Sequence, residues 1–146
     1  MFVKQISVYL ENVRGALREL TALFAEKEIN LLALSVADTA GFGIVRIMVA
    51  SKDIDPAIEM LRSAGYVAKT NNVICIRTPH RPGGLAGVLA IMEKAGINLE
   101  YTYSFVQAQT DGAVLIVRPS DKDACAKLFA QHDVKMFSQD EVDRFF

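Results

Sequence analysis

The stretch with the most chemical potential is Thr78-Pro79-His80-Arg81-Pro82-Gly83-Gly84-Leu85-Ala86. It links an alternating apolar run ending at Thr78 to a segment of helical periodicity. Pro82 pre-sets φ for a helix start, and Gly83 and Gly84 let backbone come close to a ligand. Unpaired N–H groups at a helix N-terminus attract carboxylate or phosphate. A plain strand-to-helix turn also favours Pro and Gly, so both readings fit. His80 could donate to a carboxylate or stand solvated in its loop. Other chemistry finds little support. His80 and His132 have no Cys or Ser nucleophile in a recognisable elbow and no His/Cys cluster at metal spacing. No catalytic residue, metal or cofactor is therefore expected. Cys75 and Cys125 lie far apart without a Cys-x-x-Cys partner and read as buried, reduced thiols.

Composition narrows the class further. At 51% hydrophobic and 23% charged residues, the chain suits a soluble globular protein. No apolar run approaches the ~20 residues of a membrane span, and no charged segment precedes an apolar signal core. A cytoplasmic protein is expected. Net charge is −1, and residues 1–70 carry 8 basic against 8 acidic groups, residues 71–146 8 against 9. Neither half offers a basic field for nucleic acid or for a membrane surface.

The elements that must hold the turn occur twice. Glu28-Ile29-Asn30-Leu31 returns as Gly96-Ile97-Asn98-Leu99, 68 residues on. At the same offset Gly15 falls on Gly83, Leu17 on Leu85, Leu20 on Val88, and Ile6 and Val8 on Ile74 and Ile76. Ile44-Val45 matches Ala113-Val114 at 69, a one-residue insertion in a turn, and Ala57 and Leu61 return to 68 on Cys125 and Phe129. So many matched positions indicate an internal duplication.

Each copy spells strand, helix, strand, strand, helix, strand. Opening strands are expected at Gln5–Leu10 and Ile74–Thr78, first helices at Gly15–Lys27 and Gly84–Lys94. Second strands follow at Leu31–Ala37 and Leu99–Gln107. Turns at Thr39–Gly43 and Gln109–Gly112 lead to third strands, Ile44–Ala50 and Ala113–Arg118. Ser51-Lys52-Asp53 and Ser120-Asp121-Lys122 signal second helices, and short strands near Tyr66–Lys69 and Val134–Phe137 close the units. The order predicts an α+β chain of two ferredoxin-like βαββαβ modules, each an antiparallel four-stranded sheet with its helices on one face. The modules are expected at 1–71 and 72–138, with a tail at 139–146 docked as one helical turn by Phe145 or Phe146. Leu32, Leu34 and Val36 have the opposite parity to Leu99, Tyr101, Tyr103 and Phe105. Either a bulge shifts one strand, or one stripe points away from the helices.

With Arg81-Pro82-Gly83-Gly84-Leu85 and Ile97-Asn98-Leu99 in one copy, and Asn12-Val13-Arg14-Gly15-Ala16-Leu17 and Ile29-Asn30-Leu31 in the other, the chain resembles the ACT domain family of regulatory modules that bind amino acids. Arg14 departs from the family's usual Pro. The resemblance implies a ligand site at Asn12, Gly15, Asn30, His80, Gly83, Gly84 and Asn98. Gly15 and Gly83 match the turn glycine near the ligand, and Asn30 and Asn98 match an asparagine that often contacts it. A turn-capping role for the asparagines stays open.

The resemblance implies a small sensor or regulatory protein with no attached enzyme domain. It would bind an amino acid or related small carboxylate, associate as a homo-oligomer, and act in trans on a metabolic enzyme. The alternative is a structural or interaction protein that has lost ligand binding. An RNA-binding domain of the same topology fits less well. Val8-Tyr9-Leu10-Glu11-Asn12-Val13 and Gly41-Phe42-Gly43-Ile44-Val45 partly match its motifs, but Ala40, Ile44 and Ile47 stand where basic and stacking residues belong.

Overall fold

The computed structural model describes residues 1–39, 41–105 and 111–146. The chain divides into an N-terminal unit, Lys4–Asn71, and a C-terminal unit that joins Met1–Val3 to Asn72–Phe146. The N-terminal unit contains β1 (Val3–Glu11, save its first residue), α1 (Ala16–Glu26), β2 (Ala33–Thr39), β3 (Phe42–Met48) and α2 (Ser51–Ser63). It ends in the first residues of β4 (Ala68–Thr78). Alternation in β1 sends Ile6 and Val8 to one face, where they pair in antiparallel register with Ile47 and Val45. Leu20 and Phe24 of α1, and Ile54, Ala57 and Leu61 of α2, close over that face. Their i, i+3, i+4 and i+7 spacings put each set on one side of its helix. The closing strand is tied to β1 by the Tyr9 N–H, which donates to the Val67 carbonyl at 3.0 Å.

The C-terminal unit repeats this plan with the rest of β4, α3 (Gly84–Lys94), β5 (Leu99–Ser104), β6 (Ala113–Pro119), α4 (Lys122–Gln131) and β7 (Met136–Phe137). Ile74, Ile76 and Val117 meet Val88, Met92, Cys125 and Phe129 in its core. Phe2 packs on the same cluster, and the Lys122 ammonium lies 4.7 Å from its ring centre, which binds the first residues to this unit. A last helix, α5 (Gln139–Phe145), follows β7. Its Ser138 cap is a capping box: the hydroxyl accepts from the Glu141 N–H, and the Glu141 carboxylate accepts from the Ser138 N–H.

The chain is thus an α+β pair of ferredoxin-like modules, with several corrections of detail. The closing strand expected near Tyr66 and the opening strand expected at Ile74 are one continuous strand, β4. Asn71 and Asn72 favour turns, but pairing of β4 with β1 and β6 keeps Ala68 to Thr78 extended. The hydrogen-bonded order β2-β3-β1-β4-β6-β5, with β7 on β4, makes one seven-stranded sheet rather than two of four strands.

The insertion in the second copy is two residues, not one. Ile6 pairs with Ile47 while Ile74 pairs with Val117, an offset of 117 − 47 = 70. Its added length falls between Ser104 and Ala113. Gln107, Gln109 and Thr110 of the expected strand and turn lie outside the described residues, as does Ala40. At α2 the cap position is Ala50, without a side-chain bond, and Ser51 is already inside the helix. At α4, Asp121 caps as expected, accepting from the Ala124 N–H at 2.9 Å.

The parity conflict is resolved by a bulge at Glu100, where the register steps from Leu99/Pro119 to Tyr101/Arg118. Leu99 therefore joins the core under the helices. Tyr103 pairs with Ile116, and Ile116 with Cys75, so the aromatic stripe lies on the sheet's other face. Helices α1–α4 cover one face of their sheets, but α5 serves the opposite one. Phe137 is the register partner of Cys75. Phe146 sets its ring 5.9 Å from Phe137 and 4.4 Å from Phe105.

Candidate functional site

Both strand-to-helix turns are built alike. Gly15 and Gly83 occupy the cap positions of α1 and α3 in the left-handed conformation, each with φ of 84°. The preceding turns close through Ala16 N–H to Val13 carbonyl (3.2 Å) and Gly84 N–H to Arg81 carbonyl (3.0 Å). A side chain at Gly15 or Gly83 would meet open space, so these glycines are required for backbone conformation rather than for close approach. Gly84 is different. A Cβ there would lie 2.0 Å from the Pro79 carbonyl oxygen, so its own turn fills the space, whereas Ala16 holds the same place in the first copy.

Neither helix has a side-chain cap. Among the described residues the N–H groups of Leu17, Arg18, Leu85 and Ala86 have no acceptor. Orphan donors at the positive end of a helix are groups that an anion can satisfy.

Each turn borders a cleft within its own unit. In the N-terminal unit about 240 Å³ is enclosed by Leu10, Glu11, Asn12, Val13, Leu17 and Val36, among others. In the C-terminal unit about 410 Å³ opens between Thr78, His80, Arg81, Leu85, Ala113 and Leu115. Asn12, Gly15, His80, Gly83 and Gly84 therefore fall at or beside these clefts, all exposed except half-buried Gly84.

Asn30 and Asn98 do not join them within a unit. Each stands at the far end of α1 or α3, a separation of about 16 Å for an eleven-residue helix. No small amino acid reaches across that distance. Asn98 exchanges two bonds with Ser120, its N–H donating to the hydroxyl and its carbonyl accepting from the Ser120 N–H. The turn-fixing role is thus carried by its backbone, and among the described residues both Asn side chains are exposed without a hydrogen bond.

One residue at the C-terminal cleft escapes a motif reading. Thr78 is 2% exposed, lies on the helix side of β4 with Ile74 and Ile76, and its hydroxyl has no partner among the described residues. Its only sequence signal is a polar residue at the inward end of an apolar alternation. The cysteines are structural. Burial, reinforced by the charge of Glu141, pushes the Cys75 thiol up to about 12, and burial with the Asp121 charge pushes Cys125 to about 11. Both stay protonated and unreactive near neutrality. No cluster of three or more His, Cys, Asp or Glu that could hold a metal occurs among the described residues. Nor does any helix there have the length and apolarity to cross a membrane.

A family model described as an ACT domain pair matches residues 1–145. The chain belongs to this family. ACT domains are typically amino acid-binding regulatory modules rather than catalytic ones. A structure from Bacteroides thetaiotaomicron is similar at 34% identity and TM-score 0.87, over 98% of this chain and 96% of that one. The regulatory subunit of aspartate kinase from Thermus thermophilus shares the ACT pair fold at 15% identity and TM-score 0.64, over 88% and 91% of the two chains. That from Thermus flavus does so at 15% and 0.62, over 88% and 90%. No protein of curated function matches the chain.

Proposed function

We propose that this ACT domain pair is a cytoplasmic sensor that binds an amino acid or related small carboxylate and regulates a metabolic enzyme in trans. The observation that carries the reading is the repeated turn: a left-handed glycine, an uncapped helix start with two orphan N–H groups, and a cleft beside them. The carboxylate lies on the Leu85 and Ala86 N–H groups, and in the first copy on those of Leu17 and Arg18. Asn30 and Asn98 take part only where a turn from another module meets them. Regulation follows if the ligand binds one docking of two modules or two chains better than another.

The test is a thermal-shift screen of the amino acids on the full chain, followed by calorimetry. A ligand at 100 times its Kd adds about 2.7 kcal/mol of stability, a shift that a domain of this size reports clearly. Absence of any shift at millimolar concentration would remove the ligand-binding reading and leave an interaction protein.

A further inference from the structure

The two clefts occupy equivalent places, but their walls have diverged in one chemical direction. At the 68-residue offset Leu10 becomes Thr78, Asn12 becomes His80 and Val13 becomes Arg81. Glu11, a carboxylate on the wall of the first cleft, becomes Pro79. The first turn of α1 contains Glu19, whereas that of α3 contains no acidic residue. The C-terminal cleft thus has three side-chain donors, Thr78, His80 and Arg81, and no carboxylate in its own lining, while Asp111 and Asp133 border the adjoining cleft that shares Thr78. The N-terminal one is apolar apart from Glu11 and Asn12.

Thr78 gives an independent sign of a ligand. Thr78 is 2% exposed and its hydroxyl has no partner among the described residues, which is costly unless something in the cleft completes it. It lines the cleft floor with Ala113, its register partner. Ala113 corresponds by pairing register to Gly43, which faces Leu10 in the first copy. The first copy therefore places an apolar side chain where the second places a buried hydroxyl.

We infer that the two sites have become unlike, and that the C-terminal cleft selects a small dicarboxylate, either an acidic amino acid or a dicarboxylic acid without the amino group. This rests on the ligand-binding reading above and adds the ligand's charge. One carboxylate takes the Leu85 and Ala86 N–H groups together with the Thr78 hydroxyl. The second takes the Arg81 guanidinium, with His80 as a further donor. The N-terminal cleft, whose Glu11 repels a second carboxylate, does not share this preference.

Calorimetry on the full chain with L-aspartate, L-asparagine, succinate and inorganic phosphate tests it. L-Aspartate or succinate should bind at least about tenfold more tightly than L-asparagine, as expected of a charge-assisted pair. Whichever of the two binds better identifies the source of the dicarboxylate. Arg81→Gln, at an exposed position, should abolish the preference without unfolding the chain. Thr78→Val, isosteric, should weaken L-aspartate several-fold. Amide resonances of Leu85 and Ala86 should move more than those of Leu17 and Arg18. Equal binding of L-aspartate and L-asparagine, tighter binding of phosphate, or a preference surviving Arg81→Gln would overturn this inference while amino acid binding stood. If no amino acid of any charge binds the folded chain, both readings fail together.

Discussion

At the scale of single residues, the glycines of the second turn separate two physical demands that look alike in sequence. Gly83 needs a positive φ, and Gly84 needs the absence of a Cβ. Gly83→Ala is expected to cost about 1 kcal/mol, the usual penalty for a left-handed L-residue. Gly84→Ala should cost more, because the Pro79 carbonyl must move before the methyl fits. Urea unfolding midpoints of the two variants check the order. The turns that carry Asn12, Gly15, His80, Gly83 and Gly84 were legible because turns advertise themselves through Gly, Pro and polar residues. The separation of Asn30 and Asn98 from those turns was not. Motif resemblance carries residue identities, whereas the distance between two motifs is the length of the helix that joins them. Thr78 opens the stretch the sequence singles out but has no role there: in an alternating strand a lone Thr reads as tolerated polarity until its burial, and the lack of a hydroxyl partner among the described residues, are seen.

Elements were legible wherever local chemistry ends them. Gly84–Lys94 was bounded as observed, by glycines before it and Gly96 after it. The strand Ala68–Thr78 was split in the sequence reading because Lys69, Thr70, Asn71 and Asn72 look like a polar connection. Strand pairing outweighs that composition, as it commonly does for β-structure. The tail illustrates local and tertiary effects acting together. Its seven residues are too few to hold a helix alone, and the Ser138–Glu141 box and the Phe146 contacts fix it. Ser138→Ala should therefore cost about 1 kcal/mol. Hydrogen bonds from Lys135 and Ser138 hold the Glu141 carboxyl below its ordinary range. Its contribution is complete above the unfolded carboxylate value and disappears as pH falls through the lower folded one. Parent and Glu141→Gln melting curves should accordingly converge in acid. A constant difference down to the lowest pH would separate the cap from the titration.

For the molecule as a whole, the protonated thiols predict a different limb of the pH profile. Cys75 is neutral when folded up to about 12, while in the unfolded chain it ionises near 9.0. The unfolded state therefore loses its proton first, and stability falls as pH rises from about 9 toward 12. Cys75→Ala should show a shallower decline than the parent over that range when denaturant midpoints are compared. Charge balance leads to a further expectation. With 8 basic against 8 acidic groups in one half and 8 against 9 in the other, single-stranded RNA should show no salt-sensitive binding in a filter assay. Submicromolar, salt-dependent retention would revive the nucleic-acid reading that Tyr9 and Phe42, 46% exposed at the latter, superficially invite.

The continuous strand from Ala68 to Thr78 also bears on how such a duplication can be taken apart. Most tandem repeats offer a seam, a loop at which one copy can be excised, shuffled or traded for another. Here the loop before Val67 and the loop at Pro79 are the nearest candidates, and each lies on the wrong side of the strand. A cut at the first takes from the leading copy the backbone that pairs with Tyr9. A cut at the second takes Ile74 and Ile76 from the core of the trailing copy. Neither loop therefore parts the two copies without loss to one of them.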